Sequence, residues 1–188
     1  MCGIVGVAAK REVGNILLEG LRRLEYRGYD SAGLAILNRF GSLERLRRLG
    51  KVQTLDEAYK ENPLAGFLGI AHTRWATHGK PSEKNAHPHR SDGTAIVHNG
   101  IIENHETLKI SLEDSGYIFE SNTDSEVIAH QLHFELKHTK NYKDGVISLL
   151  NKLEGAYVIA VVDETNPEKI FAARRGSPLV VGLGIGEN

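Results

Sequence analysis

The sequence has few of the residues that identify several common protein classes. Its 188 residues include one cysteine, Cys2, which excludes an internal disulfide framework and fits a reducing compartment. The 23 basic and 24 acidic residues nearly balance, so nothing indicates binding to nucleic acid or to an anionic membrane. The longest apolar run, residues 156–162, is far too short to cross a bilayer, and the first residues do not resemble a signal peptide. We therefore expect a soluble, cytoplasmic protein.

Hydrophobic periodicity predicts one domain that mixes strands and helices. Apolar or alternating runs predict strands at residues 3–9, 32–37, 43–47, 67–72, 93–97, 155–162, 169–174 and 178–183. Helical periodicity predicts helices at residues 13–26, 52–60, 104–115, 123–136 and 142–153. Strands that follow one another through short loops favour antiparallel sheets covered by layers of helices, an α+β fold.

Cys2 is the first candidate for chemistry. Residue 2 is small, so we expect Met1 to be removed, which leaves a thiol and a free α-amine on the same residue. An α-amine has a pKa of about 7.7–8.0 and can accept the thiol proton near neutral pH. The alternative is an inert, buried thiol, the commoner state of a single cysteine.

Residues 73–90 have no apolar period but carry many functional side chains. We predict a functional loop, because structureless segments of this length are uncommon in compact domains. Arg74 can bind a carboxylate through two hydrogen bonds, and Trp75 can form a pocket wall. The alternatives are a surface arginine and an ordinary packed tryptophan.

Asn99-Gly100 and Asp124 each allow two interpretations. An asparagine amide beside a glycine N–H can hold an oxyanion, but Asn-Gly is also the favoured dipeptide of a tight hairpin turn. The residues after Gly100 do not resemble a returning strand, which weakens the turn interpretation. Asp124 follows Thr123 in a sequence typical of a capping box. Its carboxylate can stabilise the start of a helix or bind a substrate ammonium.

The sequence indicates neither a metal site nor a cofactor site. No HExxH pattern and no cysteine pair accompanies the histidines His72, His78, His87, His89 and His98. The glycine-rich segments match neither a dinucleotide-binding nor a phosphate-binding loop. We expect no metal and no cofactor.

Six segments together resemble a known family. They read CGIVG, LEYRGYDSAG, AHTRWATHGKP, NAHPH, HNGIIEN and SNTDSE, at residues 2–6, 24–33, 71–81, 85–89, 98–104 and 121–126. In this order they resemble the class II, or N-terminal-nucleophile, glutamine amidotransferases. The resemblance is greatest to the glutaminase domain of the glutamine–fructose-6-phosphate aminotransferase family.

The resemblance implies a four-layer αββα sandwich of two antiparallel sheets, the N-terminal-nucleophile hydrolase fold. It also implies that Cys2 attacks the side-chain amide of L-glutamine while Asn99 and Gly100 hold the oxyanion. Arg27 would help to order the site. The implied substrate-binding residues are Arg74 for the α-carboxylate, Asp124 for the α-ammonium, Gly100, and Trp75, Thr77 and His78 in a loop that closes over glutamine.

The resemblance further implies that residues 1–188 form a glutaminase domain. Its ammonia would pass to a C-terminal sugar-phosphate isomerase domain, which is absent here, for the synthesis of glucosamine 6-phosphate from fructose 6-phosphate. The full-length enzyme would be a homo-oligomer. Two alternatives stay open: the glutaminase domain of another class II amidotransferase, and a catalytically silent glutamine-binding module.

Overall fold

The computed structural model describes residues 2–76 and 80–184. Within these ranges the strands are β1 (Gly3–Ala8), β2 (Ser31–Leu37), β3 (Leu43–Leu49), β4 (Leu68–Arg74), β5 (His89–Ser91), β6 (Thr94–Ile102), β7 (Gly155–Asp163) and β8 (Phe171–Arg175). The helices are α1 (Gly14–Leu24), α2 (Val52–Glu61), α3 (His105–Asp114), α4 (Asp124–His138) and α5 (Tyr142–Lys152). Short 3₁₀ helices lie at Glu25–Arg27 and Glu83–Asn85.

The strands form two four-stranded sheets. Their orders are β1-β4-β2-β3 and β5-β6-β7-β8, and every pairing within them is antiparallel. The predicted α+β class with two antiparallel sheets is therefore confirmed.

Side-chain alternation along the central strands explains why the sheets stack. In β2, Leu34 and Ile36 pack into the core beneath α1 and α2, whereas Ala35 and Leu37 pack against the other sheet. In β7, Ile159 and Val161 face the second helical layer, whereas Ala160 and Val162 face the first sheet. Both faces of these strands are buried, so they read as continuous apolar runs.

The helices cover the outer faces of the two sheets. Helix α1 buries Leu17, Leu18 and Leu21 against the first sheet, and α2 packs beside it. Helix α4 lies on β5 and β6, with α3 and α5 packed against it. The layer order is thus helix, sheet, sheet, helix. None of the helices in the described ranges combines the length and apolar character that a membrane crossing requires.

Asn99-Gly100 does not form a turn. Strand β6 continues to Ile102, which lies opposite Gly155 of β7. Gly100 takes a φ of +131°, which L side chains rarely adopt. The local turn preference is overridden because β7 pairs with both residues and with the two that follow.

Other boundaries also differ from the predictions. Strand β4 extends to Arg74, and β5 occupies residues 89–91, so the predicted loop over residues 73–90 is shorter. Residues 178–183 form no strand, because they pair with no neighbouring strand and their apolar side chains are largely exposed. Helix α4 starts as predicted, but Thr123 makes no side-chain cap. Its hydroxyl instead contacts His89 Nε2 at 3.1 Å.

Candidate active site

The strand register brings distant parts of the sequence to one edge of the first sheet. Gly3 of β1 lies opposite Thr73 of β4, so Cys2 and Arg74 end up side by side. Ser31 of β2 lies opposite Arg74 on the other side, which places Asp30 next to the same residue. Three segments that are far apart in the chain therefore meet at this edge.

A cavity of about 640 Å³ opens at this edge. Its volume lies within the usual range for small-molecule sites. All the predicted site residues in the described part of the chain line it, namely Cys2, Arg27, Arg74, Trp75, Asn99, Gly100 and Asp124. Thr77 and His78, predicted to help close over a substrate, lie outside the described residues. Additional lining residues include His87, His98, Thr123, Ser125 and the segment Ser177, Pro178, Leu179 and Val180.

The Cys2 thiol is held by the backbone of Trp75. The Trp75 N–H donates to Cys2 Sγ at 3.2 Å, and the Trp75 carbonyl oxygen lies 3.6 Å from the same sulfur. Burial raises the pKa of the Cys2 thiol above its ordinary value, and the hydrogen bond from Trp75 opposes that effect. Because the thiol is favoured over the thiolate, a nearby base would be needed to activate it.

Asn99 extends from β6 of the second sheet towards Cys2, and Gly100 lines the same cavity. Asn99 Nδ2 donates to the Cys2 carbonyl oxygen at 3.2 Å, so the amide N–H group is on the cysteine side. Gly100 packs tightly against β7, where an added Cβ would lie 2.1 Å from the Ala156 carbonyl oxygen. Only glycine fits the backbone at this point.

Arg74 is buried, with 4% of its surface exposed, and it lies beside an acid. Its Nη1 is 3.6 Å from Asp30 Oδ1. The Asp30 carboxylate also accepts hydrogen bonds from the Ser31 hydroxyl and the Ala76 N–H. Asp30 therefore holds both the guanidinium and the start of the loop that follows β4.

Trp75 and Arg27 complete this side of the cavity. The Trp75 ring is about half exposed and packs edge-on against Tyr29, with 5.1 Å between ring centroids. Gly28 follows Arg27 and lies so close to Arg74 that an added Cβ would be 2.8 Å from the Arg74 carbonyl carbon. The turn after Arg27 is thereby fixed against the end of β4.

Asp124 is the first residue of α4 and is 5% exposed. Its Oδ2 accepts from the Ile102 N–H at 2.9 Å, which fixes the carboxylate against the end of β6. Its Oδ1 lies 3.4 Å from the Ser125 hydroxyl. The carboxylate thus has a structural role at the helix start and also lines the cavity.

Four buried histidines line the cavity or lie behind it. Burial lowers the pKa of His72 to about 3, of His89 to about 3 and of His98 to about 4, and lowers that of His87 well below its ordinary value. All four are therefore neutral near pH 7. The described ranges contain no group of three or more histidine, cysteine or acidic side chains placed to hold a metal ion.

Several residues that line or support this site are not predicted by the sequence. Asp30, Tyr29 and the Trp75 N–H received no role, although the first two lie in the LEYRGYDSAG segment. For His72 and His87 the sequence suggests only the possibility of metal binding. The one sequence signal for these residues is that they lie in the segments that resemble the family. Nothing in the local pattern links Asp30 to Arg74 or the histidines to Asn99.

Comparisons with known proteins agree with the fold and place the chain in a family. Residues 72–182 match the glutamine amidotransferase domain family, which is more than half of the chain. The chain belongs to this family. The resemblance noted from the sequence is thus confirmed at the family level.

Particular relatives are similar over the whole chain. Glutamine–fructose-6-phosphate aminotransferases (isomerizing) from Salmonella typhi, Haemophilus influenzae and Escherichia coli K12 are each 60% identical over 188 residues, all of this chain. The chain spans 31% of the length of these curated relatives.

Solved structures show the same architecture. The glutamine phosphoribosylpyrophosphate amidotransferase of B. subtilis is 29% identical, with a TM-score of 0.73 over 87% of this chain and 35% of that chain. A glutamine aminotransferase class-II domain protein from Silicibacter pomeroyi is 17% identical, with a TM-score of 0.60 over 96% of this chain and 79% of that one. The latter likeness concerns the fold alone.

Proposed function

We propose that this chain hydrolyses L-glutamine to glutamate and ammonia through a thioester on Cys2. The observation that carries the proposal is the cavity in which Cys2 Sγ, the Asn99 amide, Arg74 and Asp124 meet. These groups supply, in one place, a nucleophile, a hydrogen-bond donor for an oxyanion, and one charge of each sign. Membership of the glutamine amidotransferase domain family supports the same substrate.

In the first half-reaction, the free α-amine left by Met1 removal takes the proton from the Cys2 thiol. The sulfur then attacks the side-chain amide carbon of glutamine, and its C=O π electrons move to the oxygen. Asn99 Nδ2 and the Gly100 N–H stabilise this oxyanion. The intermediate collapses with cleavage of the C–N bond, and the α-ammonium gives its proton to the departing nitrogen, which leaves as ammonia.

In the second half-reaction, water attacks the γ-glutamyl thioester. The α-amine of Cys2 takes a proton from the water, and the same oxyanion donors stabilise the second tetrahedral intermediate. Cleavage of the C–S bond releases glutamate, and the proton returns to the thiolate. The enzyme is then ready for another turnover.

Substrate selection follows from the two charges in the cavity. Arg74 would bind the α-carboxylate of glutamine and Asp124 its α-ammonium. A glutamine residue within a peptide has neither charge, so it would leave both side chains without partners in a desolvated site. Trp75, Thr77 and His78 would belong to a loop that closes over glutamine, and Arg27 would order the turn beside Cys2.

We further propose that the ammonia serves the synthesis of glucosamine 6-phosphate from fructose 6-phosphate. The 60% identity to aminotransferases named for fructose 6-phosphate favours this acceptor over the phosphoribosyl acceptor named for the 29% identical structure. The acceptor would bind a C-terminal sugar-phosphate isomerase domain, and residues 1–188 would be the glutaminase domain of a homo-oligomeric enzyme. The chain alone would release ammonia without making the amino sugar.

The deciding experiment measures ammonia and glutamate release by a sample shown by mass spectrometry to lack Met1. We expect turnover of L-glutamine, slower turnover of L-asparagine, and none of Nα-acetylglutamine. Cys2→Ala should abolish turnover but still bind glutamine. A folded, Met-free protein that releases no ammonia would contradict the proposal, and a Cys2→Ala variant with full activity would contradict the mechanism.

A further inference from the structure

His72 lies behind the Asn99 amide and joins the two sheets at the site. The ring is fully buried in β4, whereas Asn99 belongs to β6. His72 Nε2 lies 2.8 Å from Asn99 Oδ1 and 3.1 Å from the His98 carbonyl oxygen. The proposed hydrolysis of glutamine gives this histidine no chemical step of its own.

The chemistry of the partners fixes the proton on His72. A backbone carbonyl oxygen can only accept, so His72 Nε2 must carry a hydrogen, which it shares between the His98 carbonyl oxygen and the nearer side-chain atom of Asn99. The atom of Asn99 that faces the same N–H must then be the amide oxygen, because an NH₂ group there would oppose a donor to a donor. The Asn99 NH₂ group is consequently on the opposite side, towards Cys2.

The tautomer of His72 fixes that of a second histidine, His87. His87 Nδ1 lies 3.0 Å from His72 Nδ1. A neutral His72 that is protonated on Nε2 has a lone pair on Nδ1, so His87 must donate from its own Nδ1. Burial keeps the pKa of both rings far below neutral pH, so neither gains a second proton under working conditions.

We propose that His72, with His87 behind it, is a positioning residue that orients the Asn99 amide for its role in the oxyanion hole. The chain runs from His87 Nδ1–H to His72 Nδ1, and from His72 Nε2–H to Asn99 Oδ1. If the His72 donor were lost, the amide could rotate and present its oxygen to a developing negative charge. This inference rests on the proposed glutaminase function and deepens it.

The test compares two substitutions of His72 in Met-free protein. His72→Leu removes the donor, and we expect kcat for glutamine to fall by about 10²–10³, the usual loss when one oxyanion donor fails. The KM for glutamine should change little, because Arg74 and Asp124 are untouched. His72→Gln places an amide N–H near the position of Nε2, and it should restore kcat to within about tenfold of the wild type.

A matched control separates this effect from the general cost of removing a buried histidine. His130 is 7% exposed and contacts the Ser91 hydroxyl at 2.9 Å, with no contact to Asn99 among the described residues. His130→Leu should lower the melting temperature but keep kcat. A double-mutant cycle gives a second check, since His72→Leu should cost nothing further in an Asn99→Ala background. Full activity of folded His72→Leu, or equal losses for the Leu and Gln variants, would overturn the proposal.

Nuclear magnetic resonance on the ¹⁵N-labelled wild type tests the predicted histidine tautomers without an activity assay. Long-range ¹H–¹⁵N spectra distinguish protonated from bare imidazole nitrogens. We expect the Nε2–H tautomer for His72 and the Nδ1–H tautomer for His87, and the opposite tautomer of His72 would overturn the proposal even if His72→Leu fails to fold. Absence of glutaminase activity in the wild type with these tautomers present would instead refute the proposed function and leave the hydrogen-bonded chain established.

Discussion

Gly100→Ala is the substitution whose effect the structure defines most sharply. The new Cβ would lie 2.1 Å from the Ala156 carbonyl oxygen and 2.8 Å from Tyr157 Cα, and both atoms belong to the backbone of β7. Reaching an ordinary contact requires β6 and β7 to separate by about 1 Å. The φ of +131° adds backbone strain for any residue with a Cβ, of about 1–3 kcal/mol.

This shift acts on the backbone N–H that we assign to the oxyanion hole. A displacement of about 1 Å in a catalytic group can cost about 10²-fold, and loss of one oxyanion donor costs about 10²–10³-fold. We therefore expect kcat for glutamine to fall by about 10²–10³ in Gly100→Ala, measured by coupled glutamate detection. Urea unfolding should give a stability loss of about 2–4 kcal/mol, the sum of backbone strain and strand separation.

Gly116→Ala is the matched control. Gly116 also has a positive φ, +87°, but an added Cβ would meet no atom within 4 Å beyond its chain neighbours, and the residue does not line the cavity. It should lose about 1–2 kcal/mol of stability from backbone strain and retain full activity. Wild-type kcat in a folded Gly100→Ala protein would refute the assignment of the Gly100 N–H to the oxyanion hole.

Three further predictions concern the charges around the site. Arg74→Lys would remove the two-pronged contact that we propose for the α-carboxylate, and Asp124→Asn the negative charge that we propose for the α-ammonium. Each should therefore raise KM for glutamine by about 10–100-fold. Steady-state kinetics would check this, and an unchanged KM in either variant would remove that residue from substrate binding. Asp30→Asn removes the carboxylate charge beside the Arg74 guanidinium but keeps the shape of the side chain, so we expect a loss of about 1–3 kcal/mol in urea unfolding together with a higher KM. A change in neither would show that Asp30 does not hold Arg74. Finally, the buried neutral histidines should make unfolding sensitive to acid, because the unfolded chain takes up protons that the folded chain excludes. Their contribution to stability is fully present above about pH 6.5 and should be lost progressively as the pH falls towards about 3, by about 1.4 kcal/mol per pH unit for each histidine that the unfolded chain protonates. Urea unfolding at several pH values would measure this slope, which should be smaller in a variant that lacks one of the four, namely His72, His87, His89 or His98.

Most of the secondary structure could be predicted because its signals are local. The all-apolar run of residues 32–37 is a strand buried on both faces, and the periodic leucines of residues 13–26 form an amphipathic helix. The predictions failed where pairing partners are distant in sequence. The strand predicted at residues 93–97 continues through Asn99-Gly100 to Ile102 because β7 pairs with it, and residues 178–183 are not a strand because no neighbouring strand pairs with them.

The sequence alone determined the family-like segments, the layered α+β class and the identity of the candidate groups. Each of these depends on residue type and on short-range spacing, which the chain carries in its linear order. Only the tertiary structure decided that Asp30 lies beside Arg74, that the Trp75 N–H contacts Cys2 Sγ, and that His72 Nε2 contacts Asn99 Oδ1. These contacts depend on antiparallel register within one sheet and on the stacking of two sheets, and such non-local geometry leaves no periodic trace in the sequence.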